Sequence, residues 1–263
     1  MSDGVRILFV GDVVGSTGRR TLLNVLPRLR ERFAPLHFIV VNGENAAGGH
    51  GITSKIAREM FAAGVDVITL GNHTYRQNEV YKYLDEEQRI LRPANFLRSQ
   101  PGHGSCVVSH DGVRLAVLSL SGNLYMNAGM PAFSEADAAL YALRGRADHI
   151  LVDMHAEATS EKVGLGWHLD GRVTAVVGTH THIPTADARV LPGGTAYITD
   201  VGMTGARGGV IGVKREQAVE SMLTRMPVHF ESSDVDPWLN AVLIETAAEP
   251  MRAQSIVGIL EPL

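Results

Sequence analysis

Eight side chains able to bind a metal ion or to transfer a proton follow short apolar runs in this sequence, at the point where each run ends. They are carboxylate, amide and imidazole groups: Asp12, Glu44, Asn45, Asn72, His73, His155, His180 and His182. A single histidine or Gly-Asp pair after a strand is usually structural, so no one position predicts a site. A purely structural sheet has no need for such groups at the ends of five separate segments. Taken together, the five segments therefore predict a metal centre.

The mixture of donors indicates the kind of metal. Imidazole combined with carboxylate and amide oxygen suits Fe, Mn, Zn, Co or Ni, whereas Ca and Mg prefer shells made of oxygen. The single cysteine, Cys106, excludes an internal disulfide and a thiolate zinc cluster, and we expect it to be buried. The set is too large for one tetrahedral ion. Two ions about 3.5–4 Å apart, a pair that activates water and holds phosphoryl oxygens, would use it fully.

The segments in front of these groups are predicted to be buried strands. Apolar runs at 5–10, 36–41 and 65–70 end at a glycine or an asparagine, and runs at 150–154 and 173–177 end beside the later histidines. Short apolar runs bounded in this way are typical of strands covered on both faces. Ligands gather at the carboxyl ends of strands in open α/β sheets, so the sequence predicts that the eight groups meet at one edge.

Helices and a hairpin are predicted between these strands. Apolar residues recur at helical spacing over 21–33, although Pro27 argues against one uninterrupted helix. A second helix is predicted to begin near Thr53 or Ser54, either of which can cap it. Residues 106–120 predict a hairpin, because two β-rich runs flank an Asp-Gly turn.

The last third of the chain predicts antiparallel strands at 228–231, 239–245 and 255–260. Alternating βα units followed by such strands indicate an α/β fold of two packed mixed β-sheets flanked by helices. We found no repeat, low-complexity tract or linker, so residues 1–263 are expected to form a single domain in preference to two.

Composition excludes several classes of protein. A net charge of -4 at pH 7 argues against a protein that coats nucleic acid or an anionic membrane, since both need a basic surface. No apolar run approaches the ~18 residues of a membrane span, and no secretory leader is recognisable, so we expect a cytoplasmic protein without a membrane partner. The glycine-rich run at 11–20 lacks the Gly-Lys-Ser/Thr ending of a P-loop and the spacing of a dinucleotide fingerprint.

The ordered set resembles the metal motifs of the calcineurin-like metallophosphoesterases. Gly11-Asp12, Glu44, Gly71-Asn72-His73, His155 and the segment 178–182 follow the order found in that superfamily. Within it, the chain resembles the bacterial YmdB-like metallophosphoesterase branch through seven segments: GDVVGSTGRR, NGENAAGGHGIT, TLGNHTY, RPANF, DMHAEATSEK, VVGTHTHIPTAD and GTAYITDVGMTG. These segments extend over most of the chain.

The resemblance implies two metal ions per chain, first of all iron, with manganese, zinc or cobalt as alternatives. It assigns one ion to Asp12, Glu44 and His182, and the other to Glu44, Asn72, His155 and His180. Asn45 would be an extra ligand or a phosphate contact. His73 would lie over the site as a general acid or as a stabiliser of the phosphate.

The activity that the resemblance implies is hydrolysis of small phosphodiesters, including 2′,3′-cyclic nucleotides, by a hydroxide between the two ions. It also makes a homo-oligomer plausible. Two departures from the wider superfamily stand out: Val14 replaces an expected histidine, and Glu44 replaces a bridging aspartate. The alternative hypothesis, which Val14 supports, is a regulatory or scaffolding protein with a structural or degenerate metal site. Outside the set, His50, Lys162 and Arg172 are candidates for contact with substrate, although a solvent-exposed position is the default for the lysine and the arginine.

Overall fold

The computed structural model describes residues 4–247 and 249–263. The strands among them are β1 (Arg6–Val10), β2 (Phe38–Asn42), β3 (Val67–Thr69), β4 (Ile90–Leu91), β5 (Ser105–His110), β6 (Val113–Ser121), β7 (His149–His155), β8 (Ala175–Thr179), β9 (Arg189–Val190), β10 (Ala196–Ile198), β11 (Gly205–Ala206), β12 (Pro237–Thr246) and β13 (Ala253–Pro262). The α-helices are α1 (Gly15–Arg32), α2 (Ser54–Ala62), α3 (Tyr81–Glu86), α4 (Ala132–Leu143), α5 (Thr159–Leu169) and α6 (Arg215–Thr224), and a 3₁₀ turn spans Asn78–Val80.

The strands form two mixed sheets. The first has the order β11-β12-β1-β2-β3-β4, with β13 paired to β12, and the second has the order β5-β6-β7-β8-β10-β9. Strands β1 to β4 are parallel to one another, as are β6, β7, β8 and β10. The later pair β12 and β13 is antiparallel. The predicted fold class, two mixed sheets flanked by helices, is confirmed.

Alternation along β1 shows how the layers pack. Ile7 and Phe9 belong to the core between the sheets, which also contains Leu151 of β7. The intervening Leu8 and Val10 belong to the core beneath α1 and α2. A third core packs α4 and α5 on the outer face of the second sheet. Because both faces of β1 are covered, its sequence is continuously apolar.

Two local predictions can be compared with the helices. Pro27 lies inside α1, which continues to Arg32 without interruption. Thr53 caps α2, since its side chain accepts a hydrogen bond from Ile56 N at 3.2 Å. Among the described residues, none of the helices has the length and apolar character needed to cross a membrane.

The prediction of a strand at 228–231 is wrong. This segment is largely exposed and does not join either sheet. Its polar contacts are local: Glu231 N donates to Gln217 Oε1 of α6 at 2.8 Å. The segment has no neighbouring sheet edge, and without one its backbone groups cannot form a ladder.

Candidate metal centre

All eight sequence-predicted residues lie at the carboxyl ends of five strands. Asp12 follows β1, Glu44 and Asn45 follow β2, Asn72 and His73 follow β3, His155 ends β7, and His180 and His182 follow β8. Buried hydrogen bonds join the two sheets here, because Asn42 Nδ2 and Thr69 Oγ1 of the first sheet both donate to Asp153 Oδ2 of the second. These hydrogen bonds therefore fix the strand ends of the first sheet, which carry five of the eight groups, relative to those of the second.

His155 Nε2 is the point on which several elements converge. It lies 3.0 Å from Asn72 Oδ1, 3.1 Å from Glu44 Oε1 and 3.1 Å from His180 Nδ1. Two atoms bonded to one ion at about 2.1 Å, and at right angles, would be about 3.0 Å apart. Glu44, His155 and His180 each offer an atom within 4.8 Å of the others, a group that could hold a metal ion.

The other nitrogen of His155 is held by a buried relay. Thr179 Oγ1 donates its only hydrogen to Asp153 Oδ1 at 2.7 Å, so it must accept from His155 Nδ1–H at 2.8 Å. This bond commits Nδ1 as a donor, so Nε2, which faces the neighbouring oxygens, is the nitrogen that can bind a proton or a metal ion. Metal-binding histidines are typically held in this way. Thr179 and Asp153 were not among the residues predicted from the sequence, because each belongs to a mostly apolar strand.

Asp12 and His182 form a second group beside the first. Asp12 Oδ2 accepts from His180 N at 3.2 Å, whereas its Oδ1 is buried and has no hydrogen-bond partner among the described residues. That oxygen lies 3.9 Å from His182 Nε2. His182 Nδ1 donates to the Ile211 carbonyl at 3.0 Å, which leaves Nε2 with its lone pair. An unpaired carboxylate oxygen facing an imidazole lone pair fits a cation.

Asn45 connects the two groups. Its Nδ2 lies 3.2 Å from both Glu44 Oε1 and His182 Nε2. Its Oδ1 accepts from His73 Nδ1 at 2.7 Å, so the imidazole of His73 is fixed in orientation. The His50 ring lies edge-on to the His73 ring, with 4.9 Å between centroids. His73 thus borders the centre without joining the cluster of lone pairs.

The charges of the centre are strongly coupled. Burial alone would raise the pKa of Glu44, but the nearby His155 and His73 hold it well below its usual range. Burial would lower the pKa of His155, yet the carboxylates of Glu44 and Asp12 raise it to about 9. Burial and the adjacent His155 lower the pKa of His180 to about 3. The buried carboxylates of Glu44 and Asp12 thus stabilise positive charge at His155, the residue on which the other donors converge.

Gly71 is essential to the close approach of these groups. A Cβ at this position would lie 2.3 Å from His155 Nε2 and 2.5 Å from Glu44 Oε2, closer than real Cβ contacts. The glycine in the Gly-Asn-His segment therefore leaves the space in which ligand atoms from β2 and β7 meet.

Lys162 and Arg172 are not placed as substrate contacts. Lys162 is fully buried in α5, and its Nζ donates to Asp200 Oδ2 at 2.7 Å. The same oxygen accepts from Thr181 N and Oγ1, so this pair anchors the residue between His180 and His182. Both earlier expectations for Lys162, solvent exposure and phosphate contact, are wrong. Arg172 is exposed and pairs with Asp137.

Comparison with known proteins identifies the family. The family described as YmdB-like protein matches residues 8–259. The chain belongs to the YmdB-like family. This match confirms the resemblance found in the sequence, and the strand-end residues described above lie within the matched range.

Individual proteins resemble this chain over nearly its full length. A 2′,3′-cyclic-nucleotide 2′-phosphodiesterase of Bacillus subtilis is 44% identical over 256 residues, which cover 97% of both chains. The crystal structure of a novel phosphatase from Mycoplasma pneumoniae has a TM-score of 0.92 and 33% identity, covering 100% of this chain and 95% of that one. A hypothetical protein from Thermus thermophilus gives a TM-score of 0.90 at 38% identity, covering 98% and 99%.

Proposed function

We propose that this chain is a metal-dependent phosphodiesterase that hydrolyses small phosphodiesters, in particular 2′,3′-cyclic nucleotides. The broader class, a phosphoesterase, is supported by the names of its relatives, among them a phosphodiesterase and a phosphatase. The narrower substrate rests on the 44% identical relative. Assembly into a homo-oligomer, a cytoplasmic location and a single domain remain predictions from the sequence.

The observation that carries the proposal is the convergence of Asn72, Glu44 and His180 on His155 Nε2 within 3.1 Å. We assign these four residues to one ion, and Asp12, Glu44 and His182 to a second, with Glu44 shared. Asn45 is then either an extra ligand or a contact to phosphate. Neutral imidazole nitrogens and carboxylate oxygens favour iron, manganese, zinc or cobalt, and iron is our first choice.

Two bound cations would supply Lewis acidity for the phosphoryl oxygens and lower the pKa of a water molecule towards neutrality. The protein side chains then have to orient the phosphate and handle one proton. His73 suits the second task, because Nδ1 is engaged with Asn45 Oδ1 and the ring presents Nε2 as its free nitrogen. We assign to His73 Nε2 the transfer of a proton to the leaving oxygen, or a hydrogen bond to it.

The test compares hydrolysis of bis(4-nitrophenyl) phosphate and 2′,3′-cyclic AMP by protein whose metal content is measured by elemental analysis. We expect about two ions per chain in the wild type. Glu44→Gln should lose metal together with activity. His73→Ala should keep its metal and lose about 10²–10⁴-fold in kcat. His229→Ala, which changes an exposed histidine outside the cluster, should behave as wild type.

Two outcomes would overturn the assignment. If wild type and Glu44→Gln are equally inactive at full metal occupancy, the chain is not a phosphodiesterase, and the regulatory or scaffolding hypothesis takes its place. A content of one ion or none in active protein would refute the two-metal centre. The replacement of a histidine by Val14, which is buried and offers no metal-binding atom, makes the Asp12 side of the centre the place to look for such a loss.

A further inference from the structure

A cleft of about 280 Å³ opens beside the candidate metal centre. His182 belongs to both, because its Nε2 faces Asp12 while the residue also lines the cleft. The other residues used here are Met203, Arg207, Ile211, Trp238 and Asn240. Ligand pockets for drug-sized molecules span about 300–1,000 Å³, so this cleft suits a smaller group.

Asn240 gives the cleft an unused hydrogen-bond acceptor. The residue is 8% exposed, and its Nδ2 donates to the Met203 carbonyl, which fixes the orientation of the amide. Its Oδ1 is buried and has no partner in the described part of the chain. Asp12 Oδ1, in the metal centre, is another such atom. An acceptor left unpaired in this way destabilises the folded chain, and a ligand that donates to it recovers that loss.

Ile211 is held in a backbone conformation that its side chain disfavours. Its φ is +45°, in the left-handed region, which is unusual for a β-branched residue. The backbone orients a carbonyl towards His182 Nδ1, a task that glycine or asparagine would perform with less strain. The isoleucine side chain is nevertheless 52% exposed at the cleft. Backbone strain of this kind clusters at active sites and ligand-binding positions.

Two planar groups form another wall of the cleft. The Arg207 guanidinium lies over the Trp238 ring, 4.9 Å from its centroid, and Trp238 Nε1 is engaged with Asp236 Oδ1 at 2.8 Å. Guanidinium and indole planes are the surfaces on which unpaired nucleobases stack in proteins. The polar edge of the indole is already satisfied, so the ring contributes an apolar surface.

We propose that this cleft binds the base of a nucleotide substrate whose phosphate lies at the metal centre. This inference rests on the proposed function and adds the part of the substrate that is recognised. The base contacts Ile211 and the Trp238–Arg207 pair, and Asn240 Oδ1 accepts from an exocyclic amino group. Adenine, cytosine and guanine carry such a group and uracil does not, so uridine 2′,3′-cyclic phosphate should be the poorest of the four substrates.

The kinetic test uses Ile211→Asn. Asparagine tolerates the left-handed conformation, so the variant keeps the carbonyl that holds His182 and should unfold at a higher temperature than wild type. We expect its KM for 2′,3′-cyclic AMP to rise about tenfold, whereas kcat/KM for 1-O-methylribose 2′,3′-cyclic phosphate, which lacks a base, stays constant. Leu223→Asn, at an exposed apolar position on α6, is the matched control and should leave both substrates unaffected.

A binding test separates the base site from catalysis. The chain has two tryptophans, so Trp167→Phe leaves Trp238 as the reporter. Adenosine, which has no phosphate, should quench its fluorescence saturably, with an affinity about tenfold weaker when Ile211→Asn is added. Free ribose should have no effect.

The outcomes distinguish the two proposals. Hydrolysis of 2′,3′-cyclic AMP without saturable adenosine quenching overturns the base site and leaves the proposed function standing. Saturable adenosine quenching without hydrolysis of either substrate overturns the proposed function and leaves the base site standing. An equal fall in kcat/KM for both substrates in Ile211→Asn, or a changed hydrodynamic mass with an unchanged KM, also overturns the base site. The change in hydrodynamic mass would instead make the cleft a contact between copies of the chain.

Discussion

Replacing Gly71 by alanine should abolish the metal centre while leaving the protein folded. A Cβ on Gly71 would lie 2.1 Å from His155 Cδ2 and 2.5 Å from Glu44 Oε2, whereas ordinary contacts are 3.4–4 Å. The imidazole or the strand end must therefore move by about 1 Å, and both partners are completely buried. The φ of Gly71 lies outside the left-handed region, so the effect would come from the side-chain contact alone.

The magnitudes favour a functional loss over an unfolding one. Overpacking of a buried position costs about 1–3 kcal/mol, which is less than the roughly 5–15 kcal/mol stability of a typical domain. A displacement of about 1 Å at a catalytic centre costs about 10²-fold in rate. Gly71→Ala should therefore unfold cooperatively at a slightly lower temperature, lose metal, and lose at least about 10²-fold in kcat/KM for 2′,3′-cyclic AMP.

The control is Gly258→Ala in β13, where an added Cβ would meet no atom within 4 Å. It should keep full metal content and activity, and it should be neutral or slightly stabilising, because alanine restricts the unfolded chain. Elemental analysis, kinetics and thermal unfolding of the two variants make the comparison. Wild-type metal content and kcat/KM in Gly71→Ala would refute the steric argument.

Three further predictions address the surroundings of the centre. Thr179→Val removes the relay between His155 and Asp153 and should weaken metal binding by about 10–100-fold, whereas Thr179→Ser should retain it; isothermal titration with the metal decides. Burial raises the pKa of Asp12 from 3.8 to about 6, despite opposition from His182 and His155. The metal-free folded chain therefore keeps this proton at pH values where the unfolded chain has lost it, and stability falls as pH rises from about 4 to about 6. One pKa unit corresponds to about 1.4 kcal/mol, so Asp12→Asn should stabilise metal-free protein by roughly 3 kcal/mol at pH 7 and by almost nothing at pH 3. Equal gains in the free energy of unfolding at both pH values, measured in urea, would contradict this. Lys162→Met leaves Asp200 buried without its cation and should cost about 3–5 kcal/mol in the same assay, and a cost below 1 kcal/mol would show that the pair is not needed.

Strand positions and the polar groups that follow them were predictable from the sequence. The runs ending at Asp12, Glu44 and Asn72 are apolar because both faces of each strand are covered, and such burial leaves a strong local signal. The parallel arrangement then brings the carboxyl ends of β1, β2 and β3 to one edge. All eight candidate residues could be placed at strand ends without knowing how the strands pack.

Local signals failed where the environment is set by distant segments. Lys162 is charged and is therefore expected to face solvent, yet it lies on the buried face of α5 with Leu165 and Leu169. There it pairs with Asp200, 38 positions away. Residues 228–231 have the composition of a strand, but the fold offers them no sheet edge. In both cases segments far away in sequence set the environment, so a window of neighbouring residues does not reveal it.

The sequence by itself determined the residue types of the centre and the order in which the strands deliver them, because both are local properties of the chain. Only the tertiary structure decided which atoms face one another. It directs His155 Nε2 towards Glu44 through the Thr179 relay and excludes every side chain from position 71. These features depend on separations of about 3 Å between residues as far apart in sequence as Glu44 and His155, and the close packing of two sheets fixes such distances.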